Sequence, residues 1–314
     1  MFAALNAFLT RAVSGYFLNK SLRFRSSASA YLNRTFAAGN QSTWTWSAWV
    51  KRGVLGTYPQ MFSAGAGTGG SPELTILFEA DALRIDSYNG STTVFDVKST
   101  ALYRDPAAWY HVVVAFDTTQ ATAADRVKFY INGQQITSFA TASYPGQNTT
   151  HQINAATSHQ ISGSTRVAAY YYDGEMAEIN FVGGYPTGVT SGTWAATNVS
   201  TIFGAYSIYN QWLPIAYAGT YGTNGFYLPF TNTTSTSTLV ADSSGNGNNW
   251  TPNNISLTAG STYDSLTDVP TLTSTTVANY AVLNPLSIRS GAPKSSDGNL
   301  TIAWGGTYPA NALA

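Results

Sequence analysis

The stretch Thr43-Trp-Thr-Trp-Ser-Ala-Trp-Val-Lys-Arg52 decides the fold. Trp44, Trp46, Ala48 and Val50 occupy alternate positions, the period of a β-strand that buries one face. The same period returns farther along the chain. Leu74, Ile76 and Phe78 alternate within Glu73 to Glu79, Leu83 and Ile85 continue the pattern, and Val127, Phe129 and Ile131 make another apolar face. Between His111 and Asp117, Val112, Val114 and Phe116 oppose Val113 and Ala115, so both faces are apolar and a central strand is predicted.

Connections between these runs point to antiparallel pairing. Asn89-Gly90 and Asn132-Gly133 sit between alternating segments, and Asn-Gly suits the positive φ angles of a type I′ hairpin turn. Parallel strands would need crossovers of roughly a dozen residues or more, and no amphipathic helices of that kind separate the strands. The predicted fold class is all-β: an antiparallel β-sandwich over residues 21–230, flanked by elements of a different texture. In the first, residues 1–20, Phe2, Leu5, Phe8, Leu9 and Val13 recur at helical spacing before Ser14-Gly15, which predicts a short N-terminal helix. The last, residues 231–314, is rich in Ser, Thr, Asn and Gly, and is expected to be an irregular extension packed on the sandwich or on a neighbouring subunit.

Composition narrows the function. Lys plus Arg and Asp plus Glu number 15 each, so no net field exists to hold a polyanion, and nucleic acid is not an expected partner. Charged residues make up 10% of the 314 positions and aromatic residues 14%. Cysteine is absent, which excludes disulfides, thiolate zinc sites and cysteine nucleophiles. No run approaches the roughly 20 apolar residues of a membrane span.

Candidate sites follow from side-chain chemistry. Tyr170-Tyr171-Tyr172 beside Asp173 is the densest aromatic cluster, and rings of this kind can stack on sugar faces, although tyrosine more often packs in cores and interfaces. Asp242, Ser244, Asn246 and Asn248 space oxygen-bearing side chains with glycines, which suits a calcium ion or, without any ion, a tight turn closed by Asx and Ser hydrogen bonds. Glycosidases need paired carboxyl groups on one face. Asp173 and Glu175 share a strand face, but Ala177 follows them there and Glu178 is expected on the other side, so the catalytic spacing is broken. His111, His151 and His159 form no chelating pair, no Gly-x-Ser-x-Gly elbow occurs, and Gly65 to Gly70 lacks the Lys of a phosphate-binding loop.

Several segments carry a family resemblance. Ser21-Leu-Arg-Phe-Arg, Ala30-Tyr-Leu-Asn-Arg-Thr and the opening Trp-rich run are similar to the start of laminin-G-like domains of bacteriophages. Tyr103-Arg-Asp-Pro-Ala-Ala-Trp-Tyr-His-Val-Val-Val, Asp125-Arg-Val-Lys-Phe-Tyr-Ile-Asn-Gly and Tyr172-Asp-Gly-Glu-Met-Ala-Glu-Ile-Asn-Phe resemble the strand entering the core, the central hairpin and the closing strand of that family. The likeness continues through Tyr221-Gly-Thr-Asn-Gly-Phe-Tyr-Leu-Pro-Phe and Asp242 to Asn254, and covers roughly residues 21 to 256. Asn279-Tyr-Ala-Val-Leu-Asn-Pro-Leu resembles the lead-in to a further domain in longer relatives.

The resemblance implies a concanavalin A-like jelly roll in a virion protein, made in the host cytoplasm and built into the phage particle. A non-enzymatic tail fibre or tail-associated subunit that meets host-surface glycans or neighbouring subunits is the leading expectation. A capsid-attached head fibre or decoration protein, and a polysaccharide-degrading tailspike, are the alternatives. Other virion proteins would be held through the N-terminal helix and C-terminal tail, and a homo-oligomer, trimeric if a fibre, is expected.

Overall fold

The computed structural model describes residues 15–67, 69, 71–284 and 294–303. The helix expected over Met1 to Val13 lies outside these residues, and residues 15–20 have no regular secondary structure.

Strand alternation sorts the chain into two large antiparallel sheets. The first runs β10 (Gln134–Gln135), β9 (Val127–Ile131), β8 (Trp109–Asp117), β3 (Thr43–Arg52), β13 (Gly174–Val182), β1 (Ser21–Phe24) and β18 (Ser265–Leu266), with β16 (Phe226–Leu228) also paired to β13. The second runs β11 (Phe139–Ser143), β7 (Thr93–Leu102), β6 (Ala82–Tyr88), β5 (Glu73–Glu79), β4 (Gln60–Gly65), β12 (Ser158–Ile161), β2 (Tyr31–Thr35) and β17 (Thr251–Asn253). Two separate hairpins pair β14 (Gly204–Tyr206) with β15 (Trp212–Pro214), and β19 (Lys294–Ser296) with β20 (Thr301–Ala303). Helix among the described residues is limited to single turns such as α1 (Ser191–Trp194) and α2 (Thr236–Leu239). Among the described residues, no helix is long and apolar enough to cross a membrane.

The alternate residues singled out in the sequence meet between the sheets. Trp44, Trp46, Ala48 and Val50 of β3 join Leu74, Ile76 and Phe78 of β5, Leu83 and Ile85 of β6, and Phe129 of β9 in one continuous core. Trp44 stacks on Phe116 with ring centroids 4.7 Å apart. Each such side chain contributes about 1.5–3 kcal/mol by leaving water, so this layer is the main source of stability. On β8 the opposite face is also buried. Val113 and Ala115 pack against Tyr130, Val182, Trp194, Val199 and Phe203, because the chain after β13 folds back across the first sheet.

Turn chemistry departs from expectation at one of the two Asn-Gly pairs. Asn132 and Gly133, at φ 48° and 82°, link Ile131 to its partner Gln134 in the expected left-handed turn. At Asn89-Gly90 only the glycine has positive φ, and Tyr88 pairs with Thr93 across a longer loop. The Asn89 side chain explains the difference: its Oδ1 accepts the N–H groups of Ser91 and Thr92, an Asx turn that replaces the tight hairpin. A two-residue left-handed turn instead joins β5 to β6 at Ala80 and Asp81, φ 46° and 75°. No sequence signal marks it, because Asp81 is held there by tertiary partners: its carboxylate accepts from the Gly56 N–H and pairs with Arg52 and Arg104.

Residues beyond 230 extend both sheets. β17 pairs with β2 and β18 with β1. Asp264, next to β18, accepts ion pairs from Arg23 at 3.2 Å and Arg25 at 2.8 Å.

Ala80 is exposed and left-handed, a conformation that costs an L-residue about 1–2 kcal/mol. Ala80→Gly should therefore stabilise the protein by roughly 0.5–1 kcal/mol, the released cost exceeding the added chain entropy. Urea denaturation measures it, and a destabilised variant would contradict the turn assignment.

Candidate functional site

Strands β4, β5 and β6 turn one face to the core and the other outward, and the outward face is polar. In register, Glu73 lies opposite Tyr88, Thr75 opposite Asp86, and Leu77 opposite both Arg84 and Gln60. These residues floor a groove of about 140 Å³, walled by Tyr58 on the chain entering β4 and by Arg166 and Tyr170 on the loop between β12 and β13. That volume holds on the order of ten waters.

The groove is rigidly built. The Gln60 N–H donates to the Tyr170 carbonyl, which fixes the β12–β13 loop against β4. Glu73 Oε1 accepts from Ser164 Oγ at 2.6 Å, Thr165 Oγ1 at 3.0 Å and the Arg166 N–H at 3.1 Å. Its other oxygen faces Arg166 Nε at 3.5 Å, and the Arg166 guanidinium lies over the Tyr88 ring at 4.8 Å. Arg84 donates twice to Asp96, at 2.8 and 3.0 Å. Thr75 donates to Asp86 Oδ1 at 2.7 Å. Burial pushes the Asp86 carboxyl above its usual range, against the pull of Arg84 and the Thr75 hydrogen bond. The Gln60 side-chain oxygen is buried without a hydrogen-bond partner. Tyr58 and Tyr170 meet edge to face at 6.4 Å and are about half exposed, at 49% and 47%.

The tyrosine cluster read from the sequence is divided by this arrangement. Tyr170 lines the groove, held at φ 60°. Tyr171 packs beside Tyr31, with centroids 5.9 Å apart. Tyr172 is wholly buried and donates to the Lys51 carbonyl at 3.0 Å. Asp173 is buried as well, accepting from Ser26 Oγ at 2.7 Å and the Gly298 N–H at 2.7 Å. Only Tyr170 of the four lines the groove. Tyr58, Gln60, Tyr88 and Arg166 were missed. The outward alternation of Glu73, Thr75, Arg84, Asp86 and Tyr88 was a usable signal, but nothing local ties Tyr58 to a residue more than a hundred positions away.

Glu178 requires a correction. The chain takes φ 54° at this residue, and the pairing of β13 with β3 shifts between Ala177 and Asn180. This is a β-bulge. It returns Ile179 and Phe181 to the core and leaves Glu178 on the outer side of the first sheet, the side of Glu175, rather than on the opposite one. Glu178 accepts hydrogen bonds from Tyr16 and from Tyr227, the latter at 2.8 Å, and burial raises its pKa to about 7. Glu175 is buried with neither carboxyl oxygen hydrogen-bonded. Burial and the nearby Asp268 charge raise its pKa to about 8, against Lys51 and Arg23. Lys51 Nζ is occupied by Asp268 at 2.7 Å, Asn279 Oδ1 at 2.8 Å and the Tyr280 carbonyl at 2.6 Å. Gly298 passes so close that a Cβ there would lie 2.6 Å from Glu175 Oε1. Asp173, Glu175 and Glu178 thus lie on the outer side of the first sheet beneath other parts of the chain.

The Asp242 loop closes on its own donors. Asp242 Oδ1 accepts from the N–H groups of Tyr227 and Ser244, and Oδ2 from Ser244 Oγ and the Asn248 N–H, all at 2.8–2.9 Å. Asn246 and Asn248 aim their amide nitrogens at the Gly225 carbonyl. The side chains of Asp242, Ser244, Asn246 and Asn248 are therefore engaged in a turn, with Gly245 and Gly247 supplying its positive φ angles. His111 is a core residue, accepting from Trp212 Nε1 at 3.0 Å and bonded to Ser47 Oγ at 2.9 Å, and burial lowers its pKa to about 3.

A family model described as the concanavalin A-like lectin/glucanases superfamily matches residues 25–200. No curated protein matches the chain. Among solved structures, it is similar to a heptameric SAP-like pentraxin from Limulus polyphemus, at 15% identity over 67% of this chain and 94% of that one, with a TM-score of 0.43. A putative carbohydrate binding protein from Bacteroides ovatus is similar at 14% identity, 76% and 59% coverage and a TM-score of 0.42. Tailspike protein 2 from an Escherichia coli O157:H7 bacteriophage is similar at 15% identity, 52% and 23% coverage and a TM-score of 0.37.

Two outcomes follow from these environments. The folded protein keeps a proton on Glu175 that the unfolded chain has released, so stability falls as pH rises from the ordinary carboxylate value of 4.5 toward about 8. Glu175→Gln should flatten that decline in thermal melts and stabilise the protein at pH 8 by on the order of a few kcal/mol. Asp242→Ala should cost about 2 kcal/mol, because it leaves its donors without an acceptor, and by the same amount in calcium and in EDTA. A cost seen only in calcium would assign the loop to an ion.

Proposed function

The chain belongs to the concanavalin A-like lectin/glucanase superfamily, and from that premise we propose that it is a non-catalytic part of a bacteriophage particle, a tail fibre or tail-associated subunit that meets host-surface glycans through the groove on the second sheet. The observation that carries this reading is the pairing of two half-exposed tyrosines, Tyr58 and Tyr170, with a buried polar floor. A sugar ring offers an apolar face of C–H groups and a rim of hydroxyls. Such a ligand needs one aromatic surface and a few fixed polar groups, and the groove supplies both.

The assignment to a particle rests on the sequence motifs shared with phage laminin-G-like domains, and on a neutral, charge-poor, cysteine-free chain suited to exposure. Assembly as a homo-oligomer, a trimer in a fibre, belongs to the same reading. A binding role is favoured over catalysis because Asp173, Glu175 and Glu178 are each no more than 5% exposed. The second reading, a polysaccharide-degrading tailspike, draws on the bulge that brings Glu178 to the side of Glu175. Release of reducing sugar from host capsule would favour it.

Tyr58→Ala with Tyr170→Ala should weaken glycan binding at least tenfold, about 1.4 kcal/mol, while leaving the melting temperature nearly unchanged, since both side chains are half exposed. Glycan-array binding and adsorption to host cells measure it. Undiminished binding by a folded double variant would remove the groove from the function.

A further inference from the structure

The groove's own hydrogen-bonding inventory narrows the ligand. Gln60, Glu73 and Asp86 bring acceptor oxygens to its lining. The Gln60 oxygen is unpartnered although the residue is only 6% exposed, a cost of about 1–3 kcal/mol unless something donates to it. Asp86 gives one oxygen to Thr75 and keeps a second, and Glu73 uses one oxygen for three loop donors while the other faces Arg166. Cations are less available. Arg84 is turned toward Asp96 by two parallel bonds and pairs with Glu79 at 3.3 Å. Arg166 already balances Glu73, and its guanidinium is stacked on Tyr88.

A carboxylate placed here would meet Glu73 and Asp86 at close range, and the guanidinium nearest to it, Arg166, is already balanced in charge by Glu73. A hydroxyl behaves differently, since it donates to Asp86 and accepts from Arg166 with the same group. Tyr58 and Tyr170 then face the C–H side of the ring. Resting on the glycan-binding reading above, we propose that the groove selects an uncharged pyranose presenting neighbouring hydroxyl groups and discriminates against sialic and uronic acids. Asp86 is its specificity-determining residue: it pairs with an incoming hydroxyl and repels an incoming carboxylate.

The test titrates the full chain, by calorimetry and ligand-observed NMR, with methyl glycosides of glucose, galactose and mannose, and with those of glucuronic, galacturonic and N-acetylneuraminic acid. At least one neutral glycoside should bind, its uronic counterpart at least tenfold more weakly, and Tyr170→Ala should abolish the neutral signal. Asp86→Asn, which keeps the oxygen that Thr75 uses, should narrow the gap between each neutral and acidic pair with an unchanged circular dichroism spectrum. Acidic sugars binding as tightly as neutral ones, with loss on Tyr170→Ala, would overturn the selectivity and leave the groove as the glycan site. Absence of any sugar binding, or binding indifferent to Tyr170→Ala, would overturn the groove itself.

Discussion

A β-strand carries its side chains on two faces, and a sandwich can bury only one face of each sheet between its layers. That constraint organises this molecule. The inner faces are satisfied by Trp44, Trp46, Phe62, Phe78 and their neighbours, and everything else concerns how the chain treats the two faces left outside. The first sheet is roofed by its own chain. Residues 183–203 cover Val113 and Ala115, while Leu18, Val269 and Trp212 cover Trp49, Trp109 and Ala177. The second sheet is roofed only in part, by the β12–β13 loop over β4 and β5, and its outer residues carry the charges and tyrosines that make a groove.

The same division explains the electrostatics. Roofing a sheet drags polar groups out of water along with apolar ones, so the first sheet holds Lys51, Arg23, Glu175 and Asp268 under cover. Most are paired, as Lys51 is with Asp268, and Glu175 responds by holding its proton. On the open sheet, Arg84, Asp96, Glu79 and Lys98 form a partly hydrated network in which no single ion pair weighs much. Function belongs more naturally to the open side, where a ligand can exchange with water without displacing protein.

Much of the fold was legible because it depends on period two, and the inward residues of β3, β5, β6, β8 and β9 were each readable from local sequence. The features that escaped depend on partners distant in the chain. Ala80 and Asp81 turn left-handed because Arg52, Gly56 and Arg104 hold the Asp81 carboxylate, and no dipeptide signal records that. The bulge at Glu178 inserts one residue and reverses the expected direction of a side chain, a shift that strict alternation cannot anticipate. At the candidate site the sequence indicated Tyr170 but grouped it with neighbours that the fold sends elsewhere. Tyr58, Gln60 and Arg166 become neighbours only through the hydrogen bond that ties the β12–β13 loop to β4.

The meeting of Leu18 and Ser21 with Leu266, Thr271 and Thr273 on the first sheet sets the order of biogenesis. Leu18 is bonded through its N–H and carbonyl to Thr271 and Thr273, and Ser21 pairs with Leu266, contacts spanning some 250 positions. Until residues 265–273 emerge from the ribosome, β1 has no partner on its outer edge, and Trp49 and Trp109 lack the cover that Asp268 and Val269 supply. Loop closure of that length is entropically slow. The nascent chain must therefore keep an indole-rich surface out of trouble until Leu266 to Thr273 have been translated, which makes the interval before that segment appears the one when chaperone attention matters most.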